Sequence, residues 1–112
     1  MTGYVRWLST QTAECVLAFY VDERRSLLAV DAVAKGGTST VTFSVGKLIY
    51  RGMSIQADGF FLVHNHPSGD PNPSTADIET TKSIHRTSIE MGMPLLDHFI
   101  VAAGRILSVG MW

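Results

Sequence analysis

Four apolar residues, Phe60-Phe61-Leu62-Val63, run directly into His64-Asn65-His66, and a loop holding Pro67, Pro71 and Pro73 follows at once. Such a run reads as a buried strand, and the prolines forbid its continuation as either strand or helix. Side chains alternate along a strand, so His64 and His66 point to one side. A chain built around this segment must therefore bury a strand and release its end, with two imidazoles, at the mouth of a pocket.

The remaining segments supply layers for that strand. Cys15–Val21 and Leu27–Val33 are apolar runs separated by Asp22-Glu23-Arg24-Arg25, which predicts a hairpin. Lys35-Gly36-Gly37 breaks the chain, and Thr40–Val45 suggests a short third strand. Apolar positions then change period. Val45, Leu48, Ile49, Gly52, Met53 and Gln56 predict an amphipathic helix over 46–58, ended by Gly59. After the proline loop, Ser74-Thr75-Ala76-Asp77 reads as a helix start, with Ser74 as N-cap. Gly92 and Pro94 stop that helix near Met91. Leu95–Ala102 and Arg105–Val109 read as strands about the Ala103-Gly104 turn. Helices interleaved with strands predict an α/β layered domain, a mixed central sheet flanked by helices, over residues 1–112 as one unit.

Nine Lys and Arg against ten Asp and Glu give a net charge of -1, so charge offers no support for a nucleic-acid partner. Cys15 is the sole cysteine, which rules out an intramolecular disulfide and thiolate zinc sites and fits a reduced, cytoplasmic setting. Residues 1–9 lack the apolar core of a signal peptide, and no run reaches the ~18 apolar residues of a membrane span.

Imidazole is a good zinc ligand at neutral pH, yet a His-x-His pair alone also suits a structural role. Asp77, 11 residues beyond His66, adds a third candidate. A strand, a loop and a helix start can fold back to bring its carboxylate to both imidazoles. Two His, one Asp and a water form an open zinc site of catalytic type. The competing reading is a capping box, Ser-x-x-Asp, which needs no metal. A carboxylate folded onto its own backbone is less available to an ion. Ser74 suits both roles, capping through a lone pair while its hydroxyl proton points into the site.

His64-Asn65-His66-Pro67, the seven residues Pro67–Pro73, and Ser74-Thr75-Ala76-Asp77 together resemble the JAMM motif, His-x-His-x7-Ser-x2-Asp, of the MPN/JAB metalloprotease family. The strings His64–Ser74 and Leu96-Asp97-His98-Phe99-Ile100-Val101 resemble its bacterial RadC-like branch, and the likeness spans Ala13 to Val109. It implies a JAB/MPN, cytidine-deaminase-like layered architecture and a zinc-dependent hydrolase acting on a peptide or protein substrate. His64, His66 and Asp77 would hold the zinc, with Ser74 as oxyanion helper. Glu14 stands where the family carries its general base. A solvated strand end is the plain alternative for Glu14, and Glu23 in the turn is the competitor.

The resemblance has two departures. The Pro-Arg-Glu segment usual before the first helix is replaced by Val41–Lys47, and the helical DNA-binding-type module that often precedes the domain is not in this sequence. A non-catalytic metal-binding module for protein or DNA partners, tied to DNA repair in the RadC-like branch, is the alternative. Asp97-His98 suits orienting a zinc ligand or packing in the core better than direct ligation. His85 is expected at the surface, and Cys15, next to Glu14 on a strand, should face away from the site. An HNH nuclease is disfavoured by the contiguous triplet and the charge, and a zinc deaminase by the single cysteine. Met111 and Trp112 suit a subunit contact or packing on their own domain, which leaves the oligomeric state open.

Overall fold

The computed structural model describes residues 2–36 and 44–110. Among the described residues, five strands form one sheet: β1 (Glu14–Val21), β2 (Leu27–Gly36), β3 (Gly59–Asn65), β4 (Leu95–Ala102) and β5 (Arg105–Ser108). Their spatial order is β2-β1-β3-β4-β5. The pair β3–β4 is parallel, whereas β1–β2, β1–β3 and β4–β5 are antiparallel, so the sheet is mixed as expected. The described residues also form three helices: α1 (Thr2–Thr10), α2 (Val45–Ser54) and α3 (Thr75–Glu90).

The continuous apolar run of β1 is explained by burial on both faces. Val16, Ala18 and Tyr20 point to one side and pack with Leu48 and Ile49 of α2, Ile84 of α3, and Phe60 and Leu62 of β3. Cys15, Leu17 and Phe19 point to the other and pack with Leu8 of α1, Val63 and Val101. Cys15 is thus turned away from its neighbour Glu14, as strand alternation requires. The Tyr20 hydroxyl donates to the Leu48 carbonyl at 2.9 Å and ties α2 to the sheet. Gly52 of α2 lies so close to the Met93 sulfur that a Cβ there would stand 2.7 Å from it.

Several boundaries differ from expectation. Helix α1 was not foreseen. Its nine residues carry Gly3, Thr2, Val5 and two aromatics, a composition weak in helix formers, and of its described side chains only Leu8 is fully buried. Of the expected strand Thr40–Val45, residues 40–43 lie outside the described residues; Ser44 instead caps α2 and Val45 begins it. Helix α2 stops at Ser54, four residues early, because Ile55 caps it and Gln56 takes a φ of 58°. β3 begins one residue before the apolar run, at Gly59, and β2 extends to Gly36. Gly92, at φ 75°, follows the Met91 cap as a helix-ending glycine should. Met111 and Trp112 also lie outside the described residues. No helix among the described residues is long and apolar enough to cross a membrane.

Candidate metal centre

Three elements end at one place. Val16 of β1 is paired with His64 of β3, so Glu14, two residues earlier, lies on the same face just beyond the last pair. His66 follows β3 directly, and its N–H donates to the Val101 carbonyl at 2.9 Å, which holds the chain end against β4. The proline loop then turns back: Gly69, at φ 90°, donates its N–H to the His66 carbonyl at 3.0 Å. Only glycine adopts that backbone freely. Helix α3 starts here and points its first turn at the histidines.

Four side chains converge. His64 Nε2 and His66 Nε2 are 2.9 Å apart. Asp77 Oδ2 is 3.1 Å from His66 Nε2, and Asp77 Oδ1 is 3.5 Å from His64 Nε2. Glu14 Oε1 stands further out, 3.8 Å from His64 Nε2 and 3.9 Å from His66 Nε2. Ligand atoms of Glu14, His64 and His66 all lie within 4.8 Å of one another. Asp77 is nearer to both rings than Glu14 is. The competitor Glu23 is exposed in the β1–β2 turn at the opposite end of β1.

The capping reading of Ser74 and Asp77 holds. Ser74 Oγ accepts the Asp77 N–H at 3.0 Å, and Asp77 Oδ2 accepts the Ser74 N–H at 2.9 Å, a complete capping box. The same carboxylate nevertheless faces both imidazoles. A carboxylate oxygen accepts more than one bond, so capping orients Asp77 rather than removing it from the site.

Burial sets the protonation states. It pushes His64 down to about 4, against a weaker opposing pull from Asp77, so the ring is neutral at pH 7. His98, deeper still, is pushed down to about 3 by burial and by its neighbour His64. Burial also raises the Glu14 carboxyl, opposed by His66 and helped by Asp77. For Asp77, burial works upward but is outweighed by the Ser74 backbone bond, His64, the Ser74 hydroxyl and His66, which hold it below the usual carboxylate range.

The donor set fits a cation. His66 Nδ1 is 2.8 Å from the Asp70 carbonyl, which only accepts, so the His66 Nδ1 carries a proton and a neutral ring turns its Nε2 lone pair inward. That lone pair meets the His64 ring and a carboxylate at 2.9 and 3.1 Å. Ring nitrogens and carboxylate oxygens that converge in this way suit a cation. Tetrahedral zinc with bonds of about 2.0–2.1 Å sets ligand edges near 3.3–3.4 Å, close to the spacings found here.

Three contributors had not been foreseen. Asn65, buried between the two histidines, accepts the Cys15 N–H through Oδ1 at 2.7 Å and donates from Nδ2 to the Ala13 carbonyl at 3.1 Å. It clamps the backbone on both sides of Glu14. The Asp70 carbonyl orients His66, and Thr81 contacts His98. Asn65 stands inside the His-x-His string, but its partners lie 50 and 52 residues away. His98 contacts His64 rather than joining the cluster, and Asp97 accepts from Ser108 at 2.8 Å. His85 lies half-buried on α3. The site opens into a cleft of about 440 Å³ lined by Thr12, Glu14, His66, Asp70, Ser74 and Asp77 among others.

Comparison with known proteins agrees with this geometry. A model of the RadC-like JAB domain matches residues 2–111. Bacterial relatives include a "UPF0758 protein" of Aquifex aeolicus, 34% identical over 85% of this chain and 41% of its own length. One of Rhodobacter capsulatus is 37% identical over 80% and 42%, and one of Carboxydothermus hydrogenoformans is 33% identical over 96% and 48%. The chain thus spans less than half the length of these curated relatives. With the match running nearly end to end and the His, His, Asp and Glu side chains gathered at one sheet end, the chain belongs to the RadC-like JAB domain family.

Proposed function

We propose that this chain is a zinc-dependent hydrolase of JAMM type that cleaves a peptide or isopeptide bond. The observation that carries the reading is the convergence of His64, His66 and Asp77, with Glu14 set about half an ångström further out. His64, His66 and Asp77 would hold the zinc. Zinc, when bound, supplies a Lewis acid that brings the pKa of its water to about 7. Glu14, its carboxyl raised by burial, takes the proton of the attacking water and hands it to the departing amine. Ser74 keeps its own hydroxyl proton while Oγ accepts from Asp77, so it can donate to an oxyanion in the cleft. Glu14, Asp70 and Asp77 line the cleft and, among the described residues, no Lys or Arg does, which suits a peptide better than a phosphodiester. A buried, unpaired Cys15 suits the reduced cytoplasm.

A second reading has its own support. Glu14 lies close enough to His64 and His66 to serve as a fourth protein ligand, which would close the site and make the metal structural. The Glu14→Gln variant separates the two. In the hydrolase it keeps about one zinc per chain, measured by metal analysis, and loses turnover of a panel of peptides and lysine-linked isopeptides. In the closed site it loses zinc as well. Both readings predict that His64→Ala and Asp77→Ala lose zinc. Wild-type protein free of zinc after metal-supplemented purification would overturn both.

A further inference from the structure

His98 stands on β4 behind the imidazole pair. It is paired across the sheet with Leu62 and faces α3, and its ring is buried. His98 Nε2 is 2.7 Å from His64 Nδ1, and His98 Nδ1 is 2.7 Å from Thr81 Oγ1. Thr81 Oγ1 in turn donates to the Asp77 carbonyl at 2.7 Å. Thr81 and His98 are both almost fully buried, so no solvent competes for these bonds.

The direction of every bond in this chain is fixed from its far end. A hydroxyl has one proton, and that of Thr81 is committed to a carbonyl, which only accepts. Thr81 must therefore accept from His98, which places the His98 proton on Nδ1. His98 Nε2 is then an acceptor, and His64 must donate to it from Nδ1. A neutral ring carries one such proton, so His64 Nε2 is left bare. Nε2 is the atom that faces His66, Asp77 and Glu14.

We propose that Thr81 and His98 are positioning residues that lock His64 in the tautomer whose Nε2 lone pair meets the metal. The proposal rests on the reading that His64 and Asp77 hold a cation. Its consequence is a link between two ligands. Asp77 and Thr81 are one turn apart on α3, so the carbonyl that orients the relay belongs to a ligand residue. The imidazole on the strand and the carboxylate on the helix are tied together by hydrogen bonds that never touch the ion. Outer partners of this kind are worth 10–100-fold in metal affinity.

Two measurements test it. The first is a long-range proton–nitrogen correlation spectrum of the chelated wild type at pH 7.5, which reads imidazole tautomers directly. The expected result is His64 protonated on Nδ1 and bare on Nε2. His64 protonated on Nε2 overturns the proposal. The second is zinc affinity by chelator competition on folded protein. Thr81→Val, which keeps shape and removes the hydroxyl, should bind zinc about 10–100-fold more weakly, as should His98→Phe. Thr81→Ser restores the hydroxyl and should bind like wild type. A purely structural Thr81 would lower the Tm of Thr81→Val and leave its zinc affinity intact, which also overturns the proposal. If His98→Phe does not fold, the Thr81 pair decides alone. Neither measurement uses turnover. A wild type that binds zinc but cleaves nothing sinks the hydrolase reading and leaves the relay standing. If wild type binds no zinc, the proposal falls together with the reading it rests on.

Discussion

The two ends of the central sheet treat their polar side chains in opposite ways. At the β1–β2 turn, Asp22 Oδ1 accepts the N–H groups of Arg24 and Ser26, each at 2.9 Å. Every partner lies within four residues. At the other end, Glu14, His64, His66 and Asp77 arrive from two strands and a helix, and acceptors face acceptors. Asp22 and Asp77 both receive backbone N–H bonds, so capping does not distinguish them. What distinguishes Asp77 is a second demand, from imidazoles brought in by another element. A polar group satisfied by its own turn is architecture. A set of ring nitrogens and carboxylates assembled from distant segments is compatible with a metal site.

The largest expected difference between the two ends is in their response to pH. In chelated protein His64 and His98 are held down to about 4 and about 3, below their ordinary 6.5. The unfolded chain therefore takes up protons first as pH falls. The stability these rings contribute is complete above about pH 6.5 and is lost as pH falls toward 4 and below, on the order of a few kcal/mol. Asp77, held low, acts in the same direction, whereas the raised Glu14 opposes it. Urea midpoints of chelated protein should fall steadily from pH 7 to pH 4.5. A flat profile would remove the claim that the site end stores buried neutral imidazoles.

Asp77→Asn sharpens the comparison next. The amide oxygen can still accept the Ser74 N–H, so the cap survives and the Tm should change little. The negative charge toward the rings is gone. Zinc affinity should fall by more than about 100-fold, the upper end of what an outer partner is worth. If zinc affinity survives while the Tm falls, Asp77 is a cap in the manner of Asp22 and no ligand.

The two ends were not equally legible in the sequence. The turn was plain, because its signal is local: four charged residues between two apolar runs. The mixed sheet and α3 with its Ser74 cap were also legible, since alternation and capping are short-range rules, whereas the set of His64, His66 and Asp77 was implied by the resemblance to the JAMM motif. Two things were not. Helix α1 lays Tyr4, Val5 and Leu8 on a sheet face at i, i+1, i+4 spacing, but its nine residues are poor in helix formers and the signal is short. Yet the unbroken apolar run of β1 already required a layer on each face. The partners of Asn65 and His98 depend on β1 and α3 lying against the β3–β4 pair, and no spacing along the chain encodes that.

Asn65→Ala probes the most consequential of those unseen contacts. It removes both bonds that hold the backbone beside Glu14 and leaves the buried Cys15 N–H and Ala13 carbonyl to find other partners. A loss of roughly 2–3 kcal/mol is expected, from one or two unsatisfied buried groups. Zinc should remain, because no ligand moves, while hydrolysis falls as Glu14 loses its placement. Denaturant unfolding and metal analysis on the same preparation check this. Loss of zinc in step with stability would instead make Asn65 a general prop of the strand end.

Asp22→Ala is the mildest change and the sharpest control. It removes two backbone hydrogen bonds in an exposed turn, where water replaces part of what is lost, so about 1 kcal/mol is expected. That corresponds to a Tm drop of roughly 4–8 °C for a domain near this size. Zinc affinity should not change, because Asp22 and Glu14 share only the strand between them. The strand is the reason to test it. Pairing of β1 with both β2 and β3 fixes the register that brings Val16 opposite His64, and hence Glu14 to the imidazoles. If β1 is held by its central pairs, a loosened turn frays locally and the site is untouched. If Asp22→Ala weakens zinc binding as well, the turn sets the register of β1, and the two ends of the sheet work as one device.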